Sequence, residues 1–189
     1  MILIDRHIAD LCRGVVPDEL RFYYSSLWED IPRRCLPMVE PFDPSLVNPA
    51  SLDIRVGKTA KLRTSDGYLD IDLSEYSEAN PFRFVSGDRL LVASLEKFCL
   101  PNFLCAQFKL KSSRGREWYG HQLAGFADPG WCHSCLTMEL TNDDLAPLPI
   151  FQGLRIGQMV FSLTLAPPDN DYSVRGRYNH HKTVSESLG

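Results

Sequence analysis

Apolar residues recur at every second position along much of this chain beyond residue 50. Leu52, Ile54 and Val56 alternate with Asp53 and Arg55, and Leu69, Ile71 and Leu73 with Asp70 and Asp72. Leu104, Ala106, Phe108 and Leu110 alternate with Cys105, Gln107 and Lys109. Leu136, Met138 and Leu140 alternate with Thr137, Glu139 and Thr141; Met159, Phe161, Leu163 and Leu165 do so with Gln158, Val160, Ser162 and Thr164. A period of two puts one row of side chains on each face of an extended chain, so these segments are predicted strands with the apolar row inward. Short strands punctuated by Gly, Pro and Asp turns predict an all-β sandwich or barrel. Ahead of them, Asp5 is placed to cap a short helix over Arg6–Cys12, with Ile8 and Leu11 on one face and Gly14 near its end. Tyr23, Tyr24 and Trp28 among charges predict a packed excursion before Cys35, and prolines at 37, 41, 44 and 49 predict an extended, loop-like stretch. The tail from Pro167 onward is polar and aperiodic, carries Arg175, Arg177 and Lys182, and is expected to stay mobile until something anionic orders it.

Composition narrows the class. The 189 residues, 44% hydrophobic and 23% charged, suit a single domain with a buried core. A formal net charge of −4 argues against a general nucleic-acid or membrane-surface binder, yet leaves room for arginines clustered in a cleft. No apolar run reaches membrane-span length, and no basic region followed by an apolar segment opens the chain, so a cytoplasmic location is expected. The six cysteines (Cys12, Cys35, Cys99, Cys105, Cys132, Cys135) follow no disulfide-scaffold rhythm and are expected to be reduced thiols.

Three segments carry candidate chemistry. In Lys111-Ser112-Ser113-Arg114-Gly115-Arg116, hydroxyls, turn N–H groups and guanidinium forks offer what phosphate oxygens need, although a solvated strand-end turn has the same composition. Glu139 stands opposite Leu136, Met138 and Leu140, on the face of Thr137 and Thr141. On an open surface it is an ordinary carboxylate; lining a pocket, it suits general acid–base work. Pro129-Gly-Trp-Cys132-His-Ser-Cys135 has the CxxC spacing of zinc-dependent nucleobase deaminases but lacks their His-x-Glu. Residues three apart on a strand also point to opposite faces, so no metal ligand is assigned there and packing cysteines are expected. His180-His181 could meet metal or anion, although adjacent tail histidines commonly do neither.

Taken together, these segments resemble the dCTP deaminase branch of the dUTPase superfamily over nearly the whole chain. The likeness rests on Met1-Ile-Leu-Ile-Asp-Arg-His-Ile8, Glu40-Pro-Phe-Asp-Pro44, Asn48-Pro-Ala-Ser-Leu-Asp-Ile-Arg-Val-Gly57 and Leu91-Val-Ala-Ser-Leu-Glu96. It continues through the Lys111–Arg116 turn, Ala124-Gly-Phe-Ala-Asp-Pro-Gly-Trp131, Leu136-Thr-Met-Glu-Leu-Thr-Asn142, Gly153-Leu-Arg-Ile-Gly-Gln-Met-Val-Phe161 and Arg177-Tyr178. The resemblance implies a mainly β, distorted barrel or jelly roll of the dUTPase-like type with a short N-terminal helix. It implies a homotrimer with sites at subunit interfaces, magnesium carried on the substrate triphosphate, and dTTP as an inhibitor. The implied reaction is hydrolytic deamination of dCTP to dUTP and ammonia without zinc. Its alternatives are a bifunctional relative that also splits pyrophosphate from dUTP, and a nucleotide-binding homologue without catalysis. By position, Glu139 matches the catalytic glutamate, Arg116 the arginine that orders water and substrate, and Ser112 the serine beside them. Ala124 matches the backbone that reads the cytosine edge and Asp128 the sugar-facing aspartate. Lys111, Ser113, Gln158, Arg177 and Tyr178 match triphosphate contacts, and His181 stands where it could still reach phosphate. Departures from the family pattern are an extra stretch at about 17–35, Asn179-His180-His181 in the tail, and spacing changes on either side of Ala124. A one-residue shift reverses side-chain facing unless a bulge absorbs it.

Overall fold

The computed structural model describes residues 1–23 and 36–188. Residues 24–35, most of the stretch singled out at 17–35, lie outside the described residues. The chain opens with α1 (Asp5–Cys12), whose Ile8 and Leu11 are buried, and α2 (Asp18–Tyr23). Asp5 is the first helical residue and not the cap; Ile4 holds that position without a side-chain bond. The strands follow as β1 (Val39–Glu40), β2 (Val47–Asn48), β3 (Ser51–Thr64), β4 (Gly67–Asp72), β5 (Phe82–Phe84), β6 (Arg89–Cys99) and β7 (Leu104–Leu110). A one-turn helix α3 (Ser112–Arg116) leads to β8 (Tyr119–His121), β9 (Phe126–Ala127), β10 (Cys132–Asn142), β11 (Leu148–Ile150), β12 (Arg155–Leu163) and a short α4 (Tyr172–Arg175).

The main sheet runs β8-β10-β6-β3-β12-β7-β9, and every pairing in it is antiparallel. Its curl comes from β3. The first part of that strand pairs with β12 through Leu52–Arg55, and the part from Val56 onward pairs with β6 and β4. One long strand thus serves both walls, and the sheet closes into a half-barrel around Ile54, Val92, Phe98, Met138, Ile156 and Phe161, all fully or almost fully buried. Gly57 stands where the two walls touch: a Cβ there would lie 2.7 Å from Ser94 O and 2.9 Å from Ala93 O. Only a residue without a side chain allows backbones this close.

Alternation holds well in β7 and β10 and fails in instructive places. Asp53, expected to face outward, is 2% exposed. It is held by Asn48 Nδ2 at 2.8 Å and by the Lys111 ammonium, which meets the need of a buried carboxylate for partners. Leu69, expected inward, is exposed on β4, which among the described residues pairs with β3 alone. Leu165 lies beyond the end of β12, fully exposed.

The C-terminal segment is laid against β10. Ser134 Oγ donates to Tyr178 O at 2.7 Å, Cys135 N to His181 O at 2.8 Å, and Trp131 Nε1 to Tyr178 O at 3.0 Å. Val184 is buried with Ala93 and Cys135.

Candidate active site

The site forms where β10 passes between β6 and β8. Glu139 is opposite Leu91 of β6, and its neighbour Leu140 is opposite His121 of β8. Met138 and Leu140 are buried, while Thr137, Glu139 and Thr141 are half-buried on the other face. The register of β10 against β6 shifts twice, between Cys132 and Ser134 and between Cys135 and Thr137. Beyond these irregularities the register is regular, and Glu139 keeps the facing that alternation predicts.

That face lines a cavity of about 410 Å³. Glu139, Thr137, Leu91, Ala124, Phe126 and Asp128 line it together with Trp131, Tyr172, Tyr178 and His181. Trp131 is fixed by stacking on Phe98 with ring centroids 5.5 Å apart. Ala124 is set by a tight turn in which its N–H donates to Gln122 O at 2.8 Å. Behind the carboxylate stands His121, with Nε2 3.5 Å from Glu139 Oε2. Both atoms are shielded from solvent and neither forms a hydrogen bond with the described residues. The imidazole is wedged by the Phe108 ring, centroid to centroid 4.7 Å.

The site residues picked out in the sequence fall into two groups. Ala124, Asp128, Glu139, Tyr178 and His181 share the cavity. Lys111, Ser112, Ser113, Arg116 and Gln158 do not line it; Arg177, exposed, also stands outside its walls. The second group lies at the end of β7 and on β12. Ser112, Ser113 and Arg116 are exposed on α3, Lys111 is paired with buried Asp53, and Gln158 Oε1 accepts from Ser51 Oγ at 2.8 Å. Arg116 and Glu139 of this chain therefore do not share a cavity. His121 was the member missed as a neighbour of Glu139. The available signal was its place in a short strand between the α3 turn and Ala124, but its pairing with β10 is not encoded locally.

Cys12, Cys105 and Cys135 are free thiols, as expected, and one pair of cysteines is not. Cys132 and Cys135 do not converge. Cys132 instead meets Cys99 across the β6–β10 ladder, their sulfurs in direct contact, so these two are not the unpaired thiols expected. Cys135 is buried beside Val184 and Ala93, and burial raises its thiol pKa. Cys12, buried at the end of α1, has its thiol pushed up to about 12 by the same cause.

The half-barrel thus presents a carboxylate from β10 to an aromatic-walled cavity. Its shape matches the crystal structure of the 2'-deoxycytidine 5'-triphosphate deaminase from Agrobacterium tumefaciens with a TM-score of 0.59 over 86% of this chain, at 21% identity. This chain spans about half (48%) of that one, and the match concerns the fold alone. In sequence, it is 32% identical over 165 residues to a Corynebacterium efficiens protein named dCTP deaminase, dUMP-forming, covering 80% of this chain and 85% of the relative. A Tropheryma whipplei protein of the same name is 35% identical over 164 residues, covering 79% and 83%. The family model for dCTP deaminase-like proteins matches residues 27–164, and this chain belongs to that family.

Proposed function

We propose that this protein hydrolyses the 4-amino group of dCTP and carries the product on to dUMP. The observation that carries the proposal is the half-buried Glu139 carboxylate, aimed from β10 into the cavity opposite Ala124 and Asp128. The relatives' names favour dUMP as the end product over the dUTP that the family resemblance first implies. Two water molecules are consumed: dCTP + H2O gives dUTP + NH3, and dUTP + H2O gives dUMP and pyrophosphate.

In the first step, Glu139 takes a proton from the water that attacks C4 and passes it towards the departing ammonia. Positioning and base catalysis together supply several orders of magnitude without a metal at the carbon. His121 is a positioning residue here: its Nε2 faces the unpartnered Glu139 oxygen and limits where that carboxylate can swing. Asp128 is assigned to the deoxyribose and Tyr178 and His181 to the phosphates at the cavity mouth. Magnesium arrives on the triphosphate as part of the substrate.

The Arg116 group completes the site from a second protomer, in a homotrimer. Support comes from the separation of the two residue groups within one chain and from apolar side chains exposed beside the cavity, Leu123 and Phe126, with Trp118 on the same connection. Patches of this kind mark contact surfaces. Lys111, held by Asp53, then presents its stem and charge at a fixed place next to Ser112 and Ser113. The proposal is tested by following ammonia and pyrophosphate from dCTP. Wild type releases both; Glu139→Gln binds dCTP and releases no ammonia. Unchanged ammonia release in that variant refutes the assignment of the base, and ammonia without pyrophosphate refutes the second step.

A further inference from the structure

We propose that Lys61 is an anion subsite of the Glu139 cavity, occupied in this structure by the chain's own Glu186, and that a phosphate chain enters it by lifting residues 185–188 away. Lys61 of β3 stands directly opposite Leu91 of β6, and Leu91 stands directly opposite Glu139 of β10. Residues opposite one another in an antiparallel ladder share a face, so these three side chains form one row across three neighbouring strands. Lys61 and Glu139 therefore start two strand spacings apart, roughly 10 Å. The Lys61 side chain is only 20% exposed, and its Nζ meets Asp70 Oδ1 at 2.8 Å and Glu186 Oε1 at 3.0 Å. Asp70 is its cross-strand partner on β4 and belongs to the ladder; Glu186 is brought in from far along the chain.

The strap that carries Glu186 borders the cavity itself. Ser185, Glu186 and Ser187 line it beside Thr137 and Glu139. The Ser185 N–H donates to Thr137 Oγ1 at 3.3 Å and the Leu188 N–H to Tyr178 Oη at 3.0 Å. Val184, one residue earlier, is a firmer anchor: it is buried against Ala93 and Cys135, and its N–H donates to Thr59 Oγ1 at 3.1 Å. Residues 186–188 are exposed, so the strap can leave while Val184 stays as its hinge. Exposed ion pairs hold weakly. A phosphate oxygen can take the place of the Glu186 carboxylate on the ammonium with the same charge-assisted geometry and more charge. The strap also engages Tyr178, which the dCTP reading assigns to the phosphates. The proposal deepens that reading and rests on it for the nucleoside part of the ligand only.

The test measures equilibrium binding of dCTP, inorganic tripolyphosphate and deoxycytidine to the full chain and its variants. Lys61→Met should weaken both phosphate probes about 10-fold and leave deoxycytidine unchanged. Glu186→Gln, and a chain ending at Val184, should instead bind both phosphate probes about 2–5-fold more tightly, because a competing carboxylate is gone. In wild type, tripolyphosphate should quicken cleavage after Glu186 by a glutamate-specific protease several-fold. Undiminished affinity for the phosphate probes in Lys61→Met overturns the subsite. Unchanged or weaker affinity in both Glu186→Gln and the shortened chain overturns the displacement, and so does cleavage that tripolyphosphate leaves unaltered. Tripolyphosphate binding that requires Lys61 supports the subsite even where dCTP releases no ammonia, an outcome that refutes the deamination alone.

Discussion

Replacing Arg55 with Met probes the ion pair that joins β3 to β6 at the centre of the curl. Glu96 Oε1 accepts from Arg55 Nε at 2.7 Å and Oε2 from the Arg55 backbone N–H at 2.9 Å. The Glu96 side chain is 1% exposed and that of Arg55 20%. Burial pushes the Glu96 carboxyl above its ordinary value of 4.5, and the Arg55 backbone N–H and guanidinium only partly offset this. Without the guanidinium, the carboxylate keeps only backbone donors in an apolar interior. Stranding one member of a buried pair costs about 3–5 kcal/mol. With a slope of about 2 kcal/mol per molar in urea, the unfolding midpoint should fall by about 1.5–2.5 M near neutral pH. The sign of the pH dependence follows from linkage. A raised folded value means that the native state binds the proton more tightly than the unfolded state, so Glu96 lowers stability as pH rises from 4.5 through its folded value. Arg55→Met raises that value further, so its deficit should grow with pH across the window and shrink below it. Adding Glu96→Leu should recover most of the loss, since an apolar pair strands no charge. A deficit below about 1 kcal/mol at neutral pH, or one that does not vary with pH, would refute the reasoning.

Three further outcomes test the packing and the assembly. Subunits carrying Glu139→Gln and subunits carrying Arg116→Ala should each be inactive, yet an equal mixture refolded together should regain about a quarter of wild-type ammonia release, because each site draws on two protomers; no recovery in verified mixed oligomers would count against a shared site. Gly57→Ala should lower stability by about 1–3 kcal/mol, seen as a drop in Tm of about 2–4 °C per kcal/mol, since its Cβ would press on two backbone carbonyls; an unchanged Tm would show that β3 and β6 can separate there. Cys12 and Cys135, their thiols raised by burial, should resist a disulfide reagent in the folded protein at mildly alkaline pH and react once it is denatured; rapid native labelling of either would contradict the packing described.

Local pattern determined much of this protein. The period-two rows of residues 104–110 and 136–142 became β7 and β10, and they set Glu139 on the face opposite Met138 and Leu140. The helix near the N-terminus and its buried Ile8 and Leu11 were equally legible. What the chain did not disclose is non-local. Alternation gives no sign of β6, because Leu90, Val92 and Ala93 make both its faces apolar over their span and Ser94 and Glu96 are buried beyond them, in a strand flanked by β3 and β10. Asp53 reads as a surface residue until Asn48 and Lys111 close around it. His121 reaches Glu139, and Cys99 reaches Cys132 from 33 residues away, only because β8, β10 and β6 lie side by side. Side-chain facing is a property of each strand's own backbone geometry and can be read along the chain. Which strands become neighbours depends on how the whole sheet curls, and that follows from the combined packing of distant segments around β3.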